Sequence, residues 1–167
     1  MGRNEHLKQA PKIIKVSLLT VSTTRSAAED KSGQWIKRGC EKEGHEIMEY
    51  RIVTDNRHEI TMAISSTIDN HRPDIIIVNG GTGISSADVT IEAVKPLFTK
   101  ELTGFGILFA TLSFQQIDSA AILSRATAGV IGNTVLFCMP GSLNACKLAC
   151  IELIFPEIPH LVAHLRN

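Results

Sequence analysis

Asp74-Ile75-Ile76-Ile77-Val78-Asn79-Gly80-Gly81-Thr82-Gly83 decides how the rest of the chain is read. A continuous Ile/Val run fits a strand buried on both faces, as in a parallel sheet. A buried strand that stops in glycines marks a place where backbone comes very close to something else. Ile84-Ser85-Ser86-Ala87-Asp88-Val89-Thr90 then reads as the approach to a helix. A glycine-rich turn entering a helix offers several N–H groups and a positive dipole end, which suits phosphate. The plainer alternative is a tight strand-to-helix turn with no ligand. The glycines, Thr82, Ser85, Ser86 and Asp88, crowded into so short a stretch, weigh against it. The pattern is neither GxxxxGK[ST] nor GxGxxG, so neither a P-loop nor a dinucleotide fingerprint is present.

Upstream, residues 13–21 (IIKVSLLTV) read as a first strand ending in Ser22-Thr23-Thr24. A helix over about 32–43 would turn Trp35, Ile36, Gly39 and Cys40 inward, and Gly44 suits its C′ position. Residues 46–53 (EIMEYRIV) read as a second strand ending at Thr54-Asp55. Asn56 with Glu59 three residues on is a capping-box signature for a helix over about 57–70. Downstream, a short helix is expected over about 89–98 and an apolar helical stretch over 107–114, after Gly104-Phe105-Gly106. Segments 120–131 and 134–139 flank Gly132-Asn133, a two-residue hairpin signal. An antiparallel strand therefore precedes the core strand 134–139, which ends in Pro140-Gly141-Ser142. A last helix over about 143–155 should be broken by Pro156 and Pro159. The alternation predicts a single three-layer α/β/α domain over 13–167, its sheet mostly parallel with one antiparallel strand. Residues 1–12 read as a flexible arm.

The 167 residues are enough for one substantial core. Lys plus Arg and Asp plus Glu balance at 17 each, so no global field collects nucleic acid or an anionic membrane. Phosphate binding must then be local. No apolar run approaches the roughly 18 residues of a membrane helix, and 1–12 lacks the apolar centre of a signal peptide. The expectation is a cytoplasmic protein with no membrane and no nucleic-acid partner. Cys40, Cys138, Cys146 and Cys150 form no CxxC pair, and the histidines are scattered, so the cysteines read as small buried apolar residues. No GxSxG elbow or recognisable cysteine nucleophile is present.

Ligands of open α/β sheets bind outside the carboxyl ends of the strands. The proposed parallel strands end in Ser22-Thr23-Thr24, Thr54-Asp55, Asn79 to Gly83 and Pro140-Gly141-Ser142, all on one sheet edge. Asp55 has no evident structural duty because Asn56 already caps the helix, and Asp88 could be an N-cap. Together the two acids beside a phosphate-binding loop suggest Mg²⁺ held between carboxylates and phosphate oxygens. Ser142 could cap a helix, contact an anion or do both. Arg125 could be functional or simply a surface residue.

These blocks resemble a known family. Val78-Asn79-Gly80-Gly81-Thr82-Gly83, Asp88-Val89-Thr90, Gly104-Phe105-Gly106, Ser124-Arg125-Ala126 and Met139-Pro140-Gly141-Ser142 look like the signature of the MoaB/MogA family of molybdenum cofactor biosynthesis proteins. Leu112-Ser113-Phe114 and Ala128-Gly129-Val130 are more similar to the MoaB branch. The resemblance implies a molybdopterin-binding fold and adenylylation of the terminal phosphate of molybdopterin by Mg-ATP, with release of pyrophosphate. It implies Asp55 and Asp88 as catalytic, metal-holding acids. It assigns substrate or nucleotide contacts to Ser22, Gly80, Gly81, Thr82, Gly83, Ser113, Pro140, Gly141 and Ser142. It also implies a homotrimer or homohexamer and a molybdenum-inserting MoeA-like partner; the apolar stretch 107–114 could itself pack against another subunit or simply cover one sheet edge. Two departures stand out: Ile91 where the family commonly has proline, and no acidic residue in Ser22-Thr23-Thr24. The alternatives carried from the sequence are a non-catalytic molybdopterin carrier, a scaffold subunit and a phosphate-sensing flavodoxin-like module.

Overall fold

The computed structural model describes Pro11 and residues 13–166; apart from Pro11, the expected arm over 1–12 lies outside the described residues. Six strands form one sheet: β1 (Lys15–Val21), β2 (Glu46–Val53), β3 (Ile75–Asn79), β4 (Lys100–Glu101), β5 (Thr127–Ile131) and β6 (Thr134–Met139), in the order β2-β1-β3-β6-β5-β4. β1, β2, β3 and β6 are parallel, and β5 runs against β6. β4 pairs antiparallel with β5 and so points the same way as the parallel set. The one antiparallel strand expected from Gly132-Asn133 is therefore β5, with Ile131 opposite Thr134 across the turn. β4 was not expected; two residues are too few for a hydrophobic period to show.

The strands bury both faces, as the Ile/Val run implied. Ile75, Ile77, Val135, Phe137 and Met139 point to one layer, and Ile76, Val78, Leu136 and Cys138 to the other. On the first face lie α1 (Lys31–Lys42), which contributes Ile36 and Cys40, and later helices contributing Phe105, Phe109, Cys146 and Ile158. On the second lie α2 (Arg57–His71), through Ile60 and Ile64, and α3 (Thr90–Val94), through Ile91 and Val94. α3 runs on into a 3₁₀ turn, Lys95–Leu97, completing the short helix read over 89–98. Ile91, where the family commonly has proline, packs into the second layer.

α4 (Thr103–Ile117) is longer than the apolar stretch predicted for it. Asn56 caps α2 as expected, accepting from the amides of His58 and Glu59. Glu59 does not close the capping box, however. Its carboxylate takes the Thr54 hydroxyl at 2.5 Å and so ties the end of β2 to the start of α2.

Pro156 and Pro159 do not break the last helix. α5 (Leu143–Ala149) passes through one π-helical turn, Cys150–Ile154, into α6 (Phe155–Arg166). Pro156 falls in the first turn after the wide π segment, where a missing N–H matters least. Pro159 is interior and should cost about 3 kcal/mol. Fully burying Ile158 and Val162 is worth roughly 1.5–3 kcal/mol each, enough to offset that cost. Continuity has a second consequence. The helical stretches Thr103–Leu123 and Leu143–Arg166 are, by length and composition alone, apolar enough to cross a membrane, although neither is an unbroken apolar run. The second packs Ile154, Ile158 and Val162 into the core, as the helix of a globular domain does.

At the carboxyl edge the register levels the strand ends: Val21 lies beside Val53, Thr20 beside Asn79, and Asn79 beside Met139. The chain leaves β1 for β2 on one side and returns to β3 on the other, with α1 and α2 on opposite faces. This is the switch point at which open α/β sheets form their crevice.

Candidate functional site at the carboxyl edge

The glycine loop is shaped from behind. Gly80 and Gly81 have φ of 99° and 63°, in the left-handed region that L side chains avoid. A Cβ on Gly80 would run into the Val21 carbonyl, and one on Gly81 would lie 3.0 Å from Asp55 Oδ1. Every carbonyl of the loop is taken. Gly80 O accepts from Thr90 Oγ1 at 2.9 Å and Gly81 O from Thr90 N at 3.0 Å. Thr82 O accepts from Arg125 Nε at 2.9 Å and Gly83 O from Arg125 Nη2 at 2.7 Å. Arg125 is in turn gripped by Glu92 at 2.6 Å, a hydrogen bond that holds the Glu92 carboxyl below its ordinary range. Arg125 is thus a staple of this loop rather than an idle surface residue. Gly80 N donates to Met139 O, whereas the amides of Gly81 and Thr82 meet no backbone acceptor among the described residues. Adjacent free amides over fixed carbonyls make an anion-binding concavity.

The two acids flank this loop. Asp55 Oδ2 accepts from Thr23 N at 2.8 Å and Thr23 Oγ1 at 2.7 Å, so the residue does have a structural duty, which is to hold the β1 loop. Its other oxygen faces Gly81. Asp88 is not a helix cap; Val89 holds that position and makes no side-chain bond. Asp88 Oδ2 accepts from Ser85 Oγ at 2.6 Å and Ser85 N at 3.0 Å. The Ser85 hydroxyl, with help from the amides of Ser85 and Gly83 and from Arg125, holds the Asp88 carboxyl below its usual value. Both acids offer hard oxygen ligands, and Mg²⁺ commonly takes one or two carboxylates plus substrate phosphates. Asp55, with an oxygen turned to the loop, fits that role. Among the described residues no group of three His, Cys, Asp or Glu is placed to hold a metal ion.

A cavity of about 310 Å³ is lined by Ser22, Asp55, Gly80, Gly81, Gly141 and Ser142. The fold thus brings together six of the predicted site residues. Thr82, Gly83, Asp88, Pro140 and Ser113 are outside its lining. Ser113 is buried on the inner side of α4 with Phe105 and Phe109. Ser142 does cap α5, accepting from Ala145 N at 3.2 Å, and also lines the cavity. A second cavity of about 480 Å³ adjoins through Ser22 and Arg25 and reaches Tyr50, Thr54 and Glu59.

Beneath these cavities lies a buried polar cluster built on Asp30, whose turn with Lys31, Ser32 and Gly33 matches the family's loop after the first strand but whose partners Thr20, Tyr50 and Asn79 the sequence did not join to it. Asp30, fully buried, caps α1 through Gly33 N and accepts from Thr20 Oγ1 at 2.5 Å and Tyr50 O–H at 2.6 Å. Asn79 Nδ2 donates to Thr20 Oγ1 at 2.8 Å. Burial alone would push the Asp30 carboxyl up, but the hydrogen bonds from Gly33, Thr20 and Tyr50 outweigh it and leave it below the ordinary value. Burial and the neighbouring Asp30 push the Tyr50 phenol up. The available signal was Asp30 as an N-cap just before Ser32-Gly33. All four cysteines are free and buried, as expected. Burial pushes the Cys40 and Cys146 thiols up to about 12, so neither is a nucleophile at neutral pH.

Known proteins resemble this chain along nearly its whole length. The sequence model of a family described as "Probable molybdopterin binding domain" matches residues 17–160. The molybdenum cofactor biosynthesis protein B of Bacillus subtilis is 46% identical over 168 residues, covering 100% of this chain and 99% of that protein. A crystal structure of a molybdenum cofactor biosynthesis protein B superposes with a TM-score of 0.91 at 43% identity, over 95% of this chain and 99% of the other. The tungsten cofactor synthesizing protein MoaB from Pyrococcus furiosus superposes at 0.86 with 40% identity, over 95% of this chain and all of that one (100%).

Proposed function

The chain belongs to the MoaB group of molybdopterin-binding proteins of molybdenum cofactor biosynthesis, and on that premise we propose that it adenylylates the terminal phosphate of molybdopterin with Mg-ATP, releasing pyrophosphate. The observation that carries this reading is the Gly81 amide, without an acceptor among the described residues, lining one cavity with Asp55, Ser22, Gly141 and Ser142. Adenylyl transfer asks for two anionic reactants held in line and for relief of charge on the α-phosphate. Bound Mg²⁺ would supply charge neutralisation there.

The chain's own residues do the rest. Asp55 and Asp88 would hold the metal, which would relieve charge on the phosphates. The Gly81 amide, in the cavity lining, donates to a phosphate oxygen without reorganising, because the carbonyls of its loop are already fixed. Ser22, Gly141 and Ser142, on the facing loops, bound the space left for the attacking phosphate. Pro140 and Gly83 set the ends of those loops. No covalent nucleophile is required, in keeping with protonated, buried thiols.

Incubation with molybdopterin and Mg-ATP tests the reading. Stoichiometric pyrophosphate and adenylylated pterin are expected; tight pterin binding with neither product would mean a carrier without turnover. The chain is further proposed to act in the cytoplasm and to pass its product to a molybdenum-inserting MoeA-like protein. Ile107, Leu108, Phe114 and Ile117 on α4, with Ile122 and Leu123 just beyond it, are all exposed. An apolar surface of that kind suits a subunit interface, and a homotrimer or homohexamer is proposed, to be read by light scattering.

A further inference from the structure

The two carboxyl-edge cavities share the loop after β1, and among the described residues Arg25 is the one Lys, Arg or His that lines either of them. The same walls carry the acids Asp55 and Glu59. In a site read as taking polyanions, Arg25 is then the only fixed positive charge that the described residues bring to the lining. Its guanidinium is oriented from below. Nη1 donates to Gly141 O at 3.1 Å and lies 3.7 Å from Asp30 Oδ1. Asp30 cannot yield, being fully buried and bonded by Gly33, Thr20 and Tyr50, while the Arg25 side chain keeps 37% exposure. Nε and Nη2, the other donors of the fork, have no acceptor among the described residues. Gly141 also abuts the glycine loop, since a Cβ there would lie 3.0 Å from Gly80 Cα. The fork therefore sits where the glycine cradle and the second cavity meet.

We propose that Arg25 is a substrate-contacting residue that bridges two phosphate groups, one on the glycine loop and one in the adjoining cavity, with Asp30 as its positioning residue. The proposal rests on reading these cavities as phosphate sites. Two anions brought close enough to react repel each other, and a planar guanidinium donating to both offsets that repulsion in a way a lysine point charge cannot. Asp30 fixes the plane of the fork; its own carboxylate is too well bonded to reach a ligand.

The test uses inorganic pyrophosphate with Mg²⁺ as the probe, titrated calorimetrically into the full chain. Loss of a charged hydrogen-bonding group predicts about 10- to 100-fold weaker binding in Arg25→Ala. Arg25→Lys, which keeps the charge but not the fork, should fall between that variant and the unsubstituted protein. Asp30→Asn should weaken binding less than Arg25→Ala does. In the double variant Asp30→Asn should add no further loss, because a positioning residue has nothing left to position; a merely structural Asp30 would add its own decrement. The melting temperature of Arg25→Ala should stay within a few degrees of the unsubstituted protein, its side chain being partly exposed. Binding by Arg25→Ala within about twofold of the unsubstituted protein overturns the proposal, as does an unsubstituted protein that takes up no pyrophosphate. Intact pyrophosphate affinity lost in Arg25→Ala, combined with no adenylyl transfer, would sink the enzymatic reading and support the role given to Arg25.

Discussion

The two edges of the sheet carry cavities of opposite character. At the amino edge a space of about 600 Å³ is bounded by Arg72, Asp74, the Gly132-Asn133 turn and Arg166. At the carboxyl edge the glycine cavity is about 310 Å³. The larger space is bordered by the ion pair of Arg166 with Asp74 at 2.7 Å, by the bonds Lys15 N to Asp74 and Thr134 Oγ1 to Pro73 O, and by a turn whose glycine has open space around it. The smaller one sits on backbone whose carbonyls are all bonded from behind and whose floor is a buried Asp30-Thr20-Asn79 cluster. Cavity volume therefore says little here. Recognition of an anion needs donors that are already aimed; at the amino edge the aimed guanidinium of Arg166 is taken by Asp74, whereas at the carboxyl edge Arg25 Nε and Nη2 and the Gly81 amide have no acceptor among the described residues.

Substitutions at each edge can break that contrast, and the largest effect belongs to the acids. Asp55→Ala or Asp88→Ala should lower adenylyl transfer at least about 100-fold, the scale of losing one charge-stabilising group, while pterin binding persists. Unchanged turnover in both variants, read by pyrophosphate release, would remove the metal assignment. Next come the two turn glycines. Gly80→Ala should cost about 1–3 kcal/mol from its backbone region, plus a collision with the Val21 carbonyl, and should abolish activity. Gly132→Ala, at φ 58° with nothing nearby, should cost about 1–2 kcal/mol and leave activity alone. Equal activity losses in the pair, at matched stability, would end the distinction between the edges.

The smallest effects concern the charges. The Asp30 carboxyl is depressed in the folded state, so its contribution is fully present above the unfolded Asp value of about 3.9 and is lost as pH falls through the folded value. Asp30→Asn should accordingly flatten the acid side of a melting-temperature profile between about pH 5 and 3. A profile as steep as that of the unsubstituted protein would contradict the account of Asp30. Arg166→Ala should cost no more than about 1 kcal/mol, as exposed pairs do.

Much of this was legible in residue order. Ile75 to Gly83 announced a buried strand and its glycine turn, Gly132-Asn133 announced the hairpin, and Asn56 announced its helix, because each signal is local. What escaped depends on distance or on competition. Arg125 reaches back to Thr82 and Gly83, and Arg25 forward to Gly141, pairings that no local period encodes. Thr23 claims one oxygen of Asp55 only because β1 and β2 are neighbours. The Pro159 helix persists because buried Ile158 and Val162 outweigh a local rule. Glu59 chose Thr54 over its own helix cap, which no sequence spacing distinguishes.

Amide chemical shifts of the isotopically labelled protein, recorded while Mg-ATP is added, test the central claim most directly. The account predicts that the Gly81 and Thr82 amides move furthest, with Gly141 and Ser142 following, and that Gly132, Asn133 and Arg166 stay in place. Saturable shifts centred on the amino edge, with Gly81 and Thr82 unmoved, would contradict it.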